Sequence, residues 1–292
     1  MTRQILRVLA ALLPLGIAAA CSHVQPAAAR EFPVRLVDAS GALVIILETP
    51  RRIISLAPSV TEILFALGLD REIIGISDAD DHPPDRVRTK PRVGGTVISL
   101  ERIVSLRPDL IVGMPSLQRD QLNRLRALRL PVLAVDAFSI GEVAEQIRVI
   151  GRATGRAERG ADLASLMERR ARAVSPAPPL RVYVEAWNEP VLAVAGGTLV
   201  EDLVRHAGGQ NIFGERKGYI QVPMETVLVL NPQVIFLLYP GRDQLLVRPG
   251  WRVMAAVRTG RVYDLPASLV TRPGPRIVDG LALIARLLSG GR

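Results

Sequence analysis

SLERIVSLRPDLIV (residues 99–112) returns 124 positions later as PMETVLVLNPQVIF (residues 223–236). In that register Glu101 meets Glu225, Leu106 meets Leu230 and Pro108 meets Pro232. Each copy reads as a short amphipathic helix, a proline that stops it, and an apolar run suited to a buried strand. One supersecondary unit used twice predicts two similar α/β lobes. The acid falls in the first helical turn of both copies. A carboxylate there is favoured by the helix dipole, which accounts for either one alone. The pair predicts more, because equal charges at equivalent places on two lobes suit a partner that is itself a two-fold dimer.

Outward from the first copy, Arg52–Leu56 (RIISL) reads as a buried strand broken at Pro58. Ser59-Val60-Thr61-Glu62 then has the spacing of a capping box, opening a helix that Gly68 closes. Upstream, Phe32–Leu47 alternates around Asp38-Ala39-Ser40-Gly41, a hairpin signal. Downstream come a short strand at Ile73–Ile76, a polar loop from Ser77 to Pro91, the first repeat, a helix over Leu117–Leu128 and a strand at Val132–Val135. Residues 32–138 therefore read as an N-terminal α/β lobe.

Residues 139–175 hold no strand candidate and read as a long linking helix. Gly151, Gly155 and Gly160 weaken it, which predicts a break near Gly155-Arg156. A Pro-rich stop at Ser175–Pro179 follows, and residues 180–292 resume the alternation: a strand at Val182–Ala186, a helix over Leu199–Ala207, the second repeat, a strand near Val262 and a helix over Ile277–Leu288. The expected fold class is α/β, with two Rossmann-like lobes joined by a long linking helix and a ligand cleft between the lobes.

The N-terminus reads as a targeting segment. Arg3 and Arg7 precede an apolar run from Val8 to Ala20, too short to remain as a membrane span, so residues 1–20 are expected to be a signal peptide and the mature chain to be periplasmic. Cys21 is the only cysteine, which excludes an internal disulfide, a Cys-based zinc site and a Cys-ligated iron–sulfur cluster. It follows Ala18-Ala19-Ala20 directly, the place of the lipidated cysteine in a bacterial lipoprotein signal. Ala18 stands where Leu, Val or Ile is usual, and ordinary cleavage after Ala20 or Ala29 is the alternative. Residues 21–31 are a small-residue tether to the membrane or the cleavage site.

The formal charge of +9 becomes +7 without the two signal arginines. The cations are scattered among acids, with Lys90 and Lys217 the only lysines, and form no basic helix; nucleic acid is not an expected partner. No Gly-x-Ser-x-Gly elbow, no Gly-x-x-x-x-Gly-Lys loop and no His-centred metal motif occurs, so no enzyme and no cofactor are expected. With His23, His82 and His206 the only histidines, a zinc or manganese receptor is not expected either.

The run Arg52-Ile-Ile-Ser-Leu-Ala-Pro-Ser-Val-Thr-Glu-Ile-Leu-Phe-Ala-Leu-Gly68 resembles the opening motif of the substrate-binding proteins of ABC importers for vitamin B12, haem and iron–siderophores. Ile74-Gly-Ile-Ser77 with His82-Pro-Pro84, the two Glu-containing repeats, Ala207-Gly-Gly-Gln-Asn-Ile212 and Gly218-Tyr-Ile-Gln-Val222 resemble the same family in the same order. The resemblance implies that Glu101 and Glu225 dock onto arginines of a dimeric ABC permease, and that a monomeric receptor holds a corrinoid or iron chelate.

The likeness is greatest to the vitamin B12 binders. By position, Tyr219 matches one of their cleft aromatics and Arg272 a cleft arginine. Ala79, Met114 and Ala186 stand where those members carry aromatics, Ser268 where they carry an aspartate, and the loop Gly94–Ser99 lacks their tryptophan. Trp187, beside Ala186, is a candidate replacement platform. Tyr239 ends the second repeat's strand, at the loop end where α/β sheets bind ligands. His82 would be the axial ligand if the cargo were haem, as haem-binding relatives use His or Tyr; an exposed loop histidine is the alternative. Two other functions stay open: a haem or ferric-siderophore receptor of the same class, and a corrinoid sensor or salvage accessory that works without a transporter.

Overall fold

A computed structural model describes residues 32–291. The signal segment 1–20, the tether 21–31 and Cys21 lie outside the described residues. Strands β1 (Val34–Val37) and β2 (Leu43–Ile46) form the expected hairpin. The Asp38 carboxylate accepts from Ser40 N, Ala42 N and Ala134 N, which builds the turn and pins it to the lobe.

Next come β3 (Ile53–Ser55), helix α1 (Pro58–Ala66), β4 (Ile73–Gly75), α2 (Pro84–Val87), α3 (Leu100–Ser105), β5 (Leu110–Gly113), α4 (Pro115–Ala127) and β6 (Val132–Ala134). The four strands after the hairpin make a parallel sheet in the order β4-β3-β5-β6. Ser59 does not cap α1, contrary to the capping-box expectation: the N-cap is Ala57, and Ser59 lies within the helix, its hydroxyl directed at Met114 Sδ. Pro58 explains the shift, since a residue without an N–H and with its φ preset suits the first helical position.

The segment 139–175 forms two helices, α5 (Ile140–Ala153) and α6 (Ala157–Arg172), parted at Gly155 with φ +66°. Gly151 and Gly160 let them touch: a Cβ on Gly151 would stand 3.0 Å from the Gly160 Cα. The glycines that weaken a single helix are thus the crossing point of a helix pair. α5 buries Val143, Ala144, Ile147 and Ile150 completely, one stripe at helical spacing.

The C-terminal lobe contains β7 (Leu180–Asn188), β8 (Val191–Val194), α7 (Leu199–His206), β9 (Gly209–Asn211), β10 (Tyr219–Gln221), α8 (Met224–Leu230), β11 (Val234–Leu237), α9 (Arg242–Leu246), α10 (Ala255–Arg258), β12 (Val262–Asp264), α11 (Ala267–Val270) and α12 (Ile277–Leu288). Strands β9, β7, β11 and β12 run parallel in that order, matching β4-β3-β5-β6 of the first lobe. Strands β8 and β10 add an antiparallel extension beside β7.

The repeat is therefore three-dimensional. Helix α3 and strand β5 correspond to α8 and β11, each strand central in its sheet. Even the turns agree: Arg107 and Asn231, 124 residues apart, both take left-handed φ values (46° and 44°) before their prolines. Asp109 accepts from Arg51 N and Arg52 N before β3, and Gln233, its counterpart, accepts from Arg181 N in β7. One buried cluster runs from Ile53 and Leu64 through Ile147 of α5 to Val182, Leu203 and Leu281. The core shared by both lobes frames the cleft.

Candidate ligand cleft

A cavity of about 650 Å³ opens between the lobes. Its N-terminal wall comes from segments following strands β3, β5 and β6, which supply Ala57–Ser59, Met114 and Leu117, and Phe138. Its C-terminal wall is Gly197–Leu199 at the start of α7, Gly218-Tyr219, and Thr271–Pro273 before α12. The carboxyl ends of parallel strands are where α/β sheets present ligand sites, because the loops there are free of the sheet's own hydrogen bonding. A second hollow of about 720 Å³, between Arg242, Arg261 and Gly290 on the flank of the C-terminal lobe, contains none of the expected residues. The interlobe cavity, apolar and walled by both lobes, has the character of a ligand-binding site.

Tyr219 and Arg272 are brought together in this cavity. Tyr219 sits at the start of edge strand β10, set there by Gly218 at φ +81°, and its ring is half exposed. Ala79 and Met114 also line the wall, at two of the positions noted for lost aromatics. Phe138, four residues past β6 and about half exposed, supplies an aromatic that the motif comparison missed. An exposed phenylalanine just after a buried strand was its only signal in the sequence.

Trp187 and Tyr239 meet each other, with ring centroids 6.0 Å apart, and do not line the cavity. Beside them the fully buried Glu185 accepts two hydrogen bonds from Arg248 (2.8 and 2.7 Å), one from Tyr183 Oη (3.0 Å) and one from Tyr239 Oη. Burial, reinforced by the Glu185 charge, pushes the Tyr183 hydroxyl far above the usual phenol range. Arg248 also lies 4.8 Å from the centroid of buried Trp251. This cluster satisfies a buried charge completely.

Charged groups gather where the lobes meet. Arg272 Nη1 and Nη2 donate to Asp81 (2.5 and 3.0 Å), and Nη1 also approaches Glu62 at 3.4 Å. Arg276 Nε and Nη2 donate to the two oxygens of Glu62 (2.9 and 2.6 Å). Glu62, taken in the sequence for a cap residue, is instead a buried acid of α1 facing two arginines of the other lobe. Arg272 holds the Asp81 carboxyl below its usual range, and Asp81 in turn raises Arg272. Next in the chain, Asp80 is buried with no hydrogen bond to either oxygen, and burial pushes it up to about 6.

His82 is half-buried in the same loop and does not line the cavity. Among the described residues no group of three or more His, Cys, Asp or Glu could hold a metal ion. Glu101 and Glu225 are both exposed, each the second residue of its helix.

Two α/β lobes with matching sheets, a shared core and an apolar cavity between them define a two-lobed ligand-binding protein. The chain belongs to the periplasmic binding protein family, whose model matches residues 53–269. It is 32% identical to YvrC of Bacillus subtilis, an uncharacterized ABC transporter substrate-binding lipoprotein, over 87% of this chain and 85% of that one. The structure is similar to the periplasmic vitamin B12 binding protein BtuF of Vibrio cholerae (30% identity, TM-score 0.74, covering 82% of this chain and 96% of that one). It is also similar to the periplasmic heme-binding protein RhuT of Roseiflexus sp. RS-1 (27% identity, TM-score 0.72, covering 82% and 98%).

Proposed function

We propose that this chain is the extracytoplasmic substrate-binding component of an ABC importer and delivers a metal chelate, a corrinoid by preference, to a dimeric permease. The observation that carries this reading is the interlobe cavity, which pairs the half-exposed Tyr219 and Phe138 with a single arginine, Arg272. Aromatic faces suit a flat macrocycle, and an arginine whose charge Asp81 and Glu62 already balance suits its peripheral amide groups better than carboxylates. The likeness to the B12-binding protein of Vibrio cholerae supports the corrinoid preference. Glu101 and Glu225, at matching exposed positions on the two lobes, fit docking to a two-fold partner. Cys21 would carry the lipid anchor in this reading, as the lipoprotein relative suggests.

The test is a ligand screen on the mature protein with cyanocobalamin, cobinamide, haemin and ferric siderophores, followed by visible absorption and tryptophan fluorescence. Trp187 is the solvent-accessible reporter, since Trp251 is fully buried. Tight corrinoid binding is the expected result. The similarity to the haem-binding structure favours a second reading. A Soret shift on adding haemin would replace the corrinoid by haem.

A further inference from the structure

Among the described residues Arg272 is the one with a formal charge on the wall of the cleft, and it does not face the cavity as a free cation. Both of its terminal nitrogens are taken by Asp81, and Glu62 shares one of them. Arg276 is committed to Glu62 through two hydrogen bonds. Two acids and two arginines therefore cancel, and the remaining wall is apolar or uncharged.

Resting on the reading of this cavity as the ligand cleft, we propose that Asp81 determines its charge selectivity: by neutralising Arg272 it makes the cleft accept uncharged chelates and disfavour anionic ones. An anion entering would have to displace Asp81 from the guanidinium or be buried without a counter-charge, and both are costly in a site withdrawn from water. The Asp81 side chain is 62% exposed while that of Arg272 is 19% exposed, so Asp81 screens the arginine from the solvent side and is not itself part of the packed wall. Replacing it by Asn keeps its shape and leaves one acid between two arginines, a net positive charge at the cleft.

Two probes with the same aromatic body read this directly: 1-anilinonaphthalene-8-sulfonate and its uncharged parent, N-phenyl-1-naphthylamine. Asp81→Asn is expected to tighten the sulfonate about tenfold relative to the uncharged dye, the scale of one new charge-assisted contact. Adding Arg272→Gln is expected to abolish the gain, which places it in the cleft, and about 0.5 M salt to reduce it. A strut that merely holds the lobes would weaken both dyes alike. An unchanged dye ratio, or equal weakening of both, overturns the proposal.

In the chelate screen, haemin with its two carboxylates should gain on cyanocobalamin by a similar factor in Asp81→Asn. If no chelate binds while the dye ratio shifts, the importer reading falls and the role of Asp81 stands. Chelate binding with an unmoved dye ratio has the reverse meaning.

Discussion

Arg276 of the C-terminal lobe grips Glu62 of the N-terminal lobe through two hydrogen bonds, 2.9 and 2.6 Å long, and the acid is buried. Breaking such a pair leaves the partners uncompensated. Glu62→Ala is expected to destabilise the protein by about 3 kcal/mol, toward the lower end for a broken buried pair because both arginines keep some access to water. Urea unfolding measures it. A loss below about 0.5 kcal/mol would show that the pair does not join the lobes.

Asp80 gives a pH dependence of opposite sign to an ordinary ion-paired carboxylate. Its folded pKa is pushed up to about 6 by burial, only partly offset by the charges of Arg92 and Arg272. Between about pH 4 and pH 6 the unfolded chain releases a proton that the folded chain keeps, so stability falls as pH rises through that window. Asp80→Asn is expected to stabilise the protein at pH 7.5 by on the order of 3 kcal/mol, a gain that fades near pH 4. Denaturation at both pH values tests it, and an equal difference at the two would refute the assignment.

Arg107 holds a left-handed conformation that its counterpart Asn231 adopts more easily. Arg107 is exposed, and Arg52 reaches it only through its backbone carbonyl, donating also to Leu106 O. Arg107→Asn is accordingly expected to stabilise by roughly 1 kcal/mol, read as a raised melting temperature.

Gly151→Ala tests the helix crossing. Helix propensity alone predicts a gain of about 1 kcal/mol. The added Cβ would stand 2.9 Å from the Arg156 carbonyl oxygen and 3.0 Å from the Gly160 Cα, both backbone atoms, so a loss of about 1–3 kcal/mol is expected instead. A stabilised variant would mean the two helices can part at little cost.

Docking is tested by charge reversal. The double variant Glu101→Arg, Glu225→Arg is expected to bind ligand as wild type does and to abolish uptake, because both positions are exposed and away from the cavity wall. Wild-type transport would remove these two residues from the docking surface.

Much of the architecture was legible because it rests on local periodicity. The 124-residue repeat anticipated α3–β5 and α8–β11, and the final helix Ile277–Leu288 matches the sequence reading at both ends. Strands β8, β9 and β10 were not legible. Each has three or four residues, too few for alternation to stand out, and β9 (Gly209–Asn211) has no apolar side chain. Ser59 shows a different failure, since its Ser-x-x-Glu spacing is a sound cap signal that Pro58 pre-empts by starting the helix two residues earlier than a Ser59 cap would.

By itself, the sequence determined the two-lobed α/β plan, the matched positions of Glu101 and Glu225, and the break between α5 and α6. These follow from helix and strand periods and from the conformational limits of proline and glycine. Only the tertiary structure decided what fills the cleft wall and which charges oppose each other across it. Glu62, Asp81, Arg272 and Arg276 span 214 residues of chain, and nothing in their local context marks them as partners. Trp187 and Tyr239 likewise found each other and the Glu185–Arg248 pair, not the cavity wall. Local pattern encodes which face of an element is buried; which element it meets depends on how both lobes pack onto one shared core.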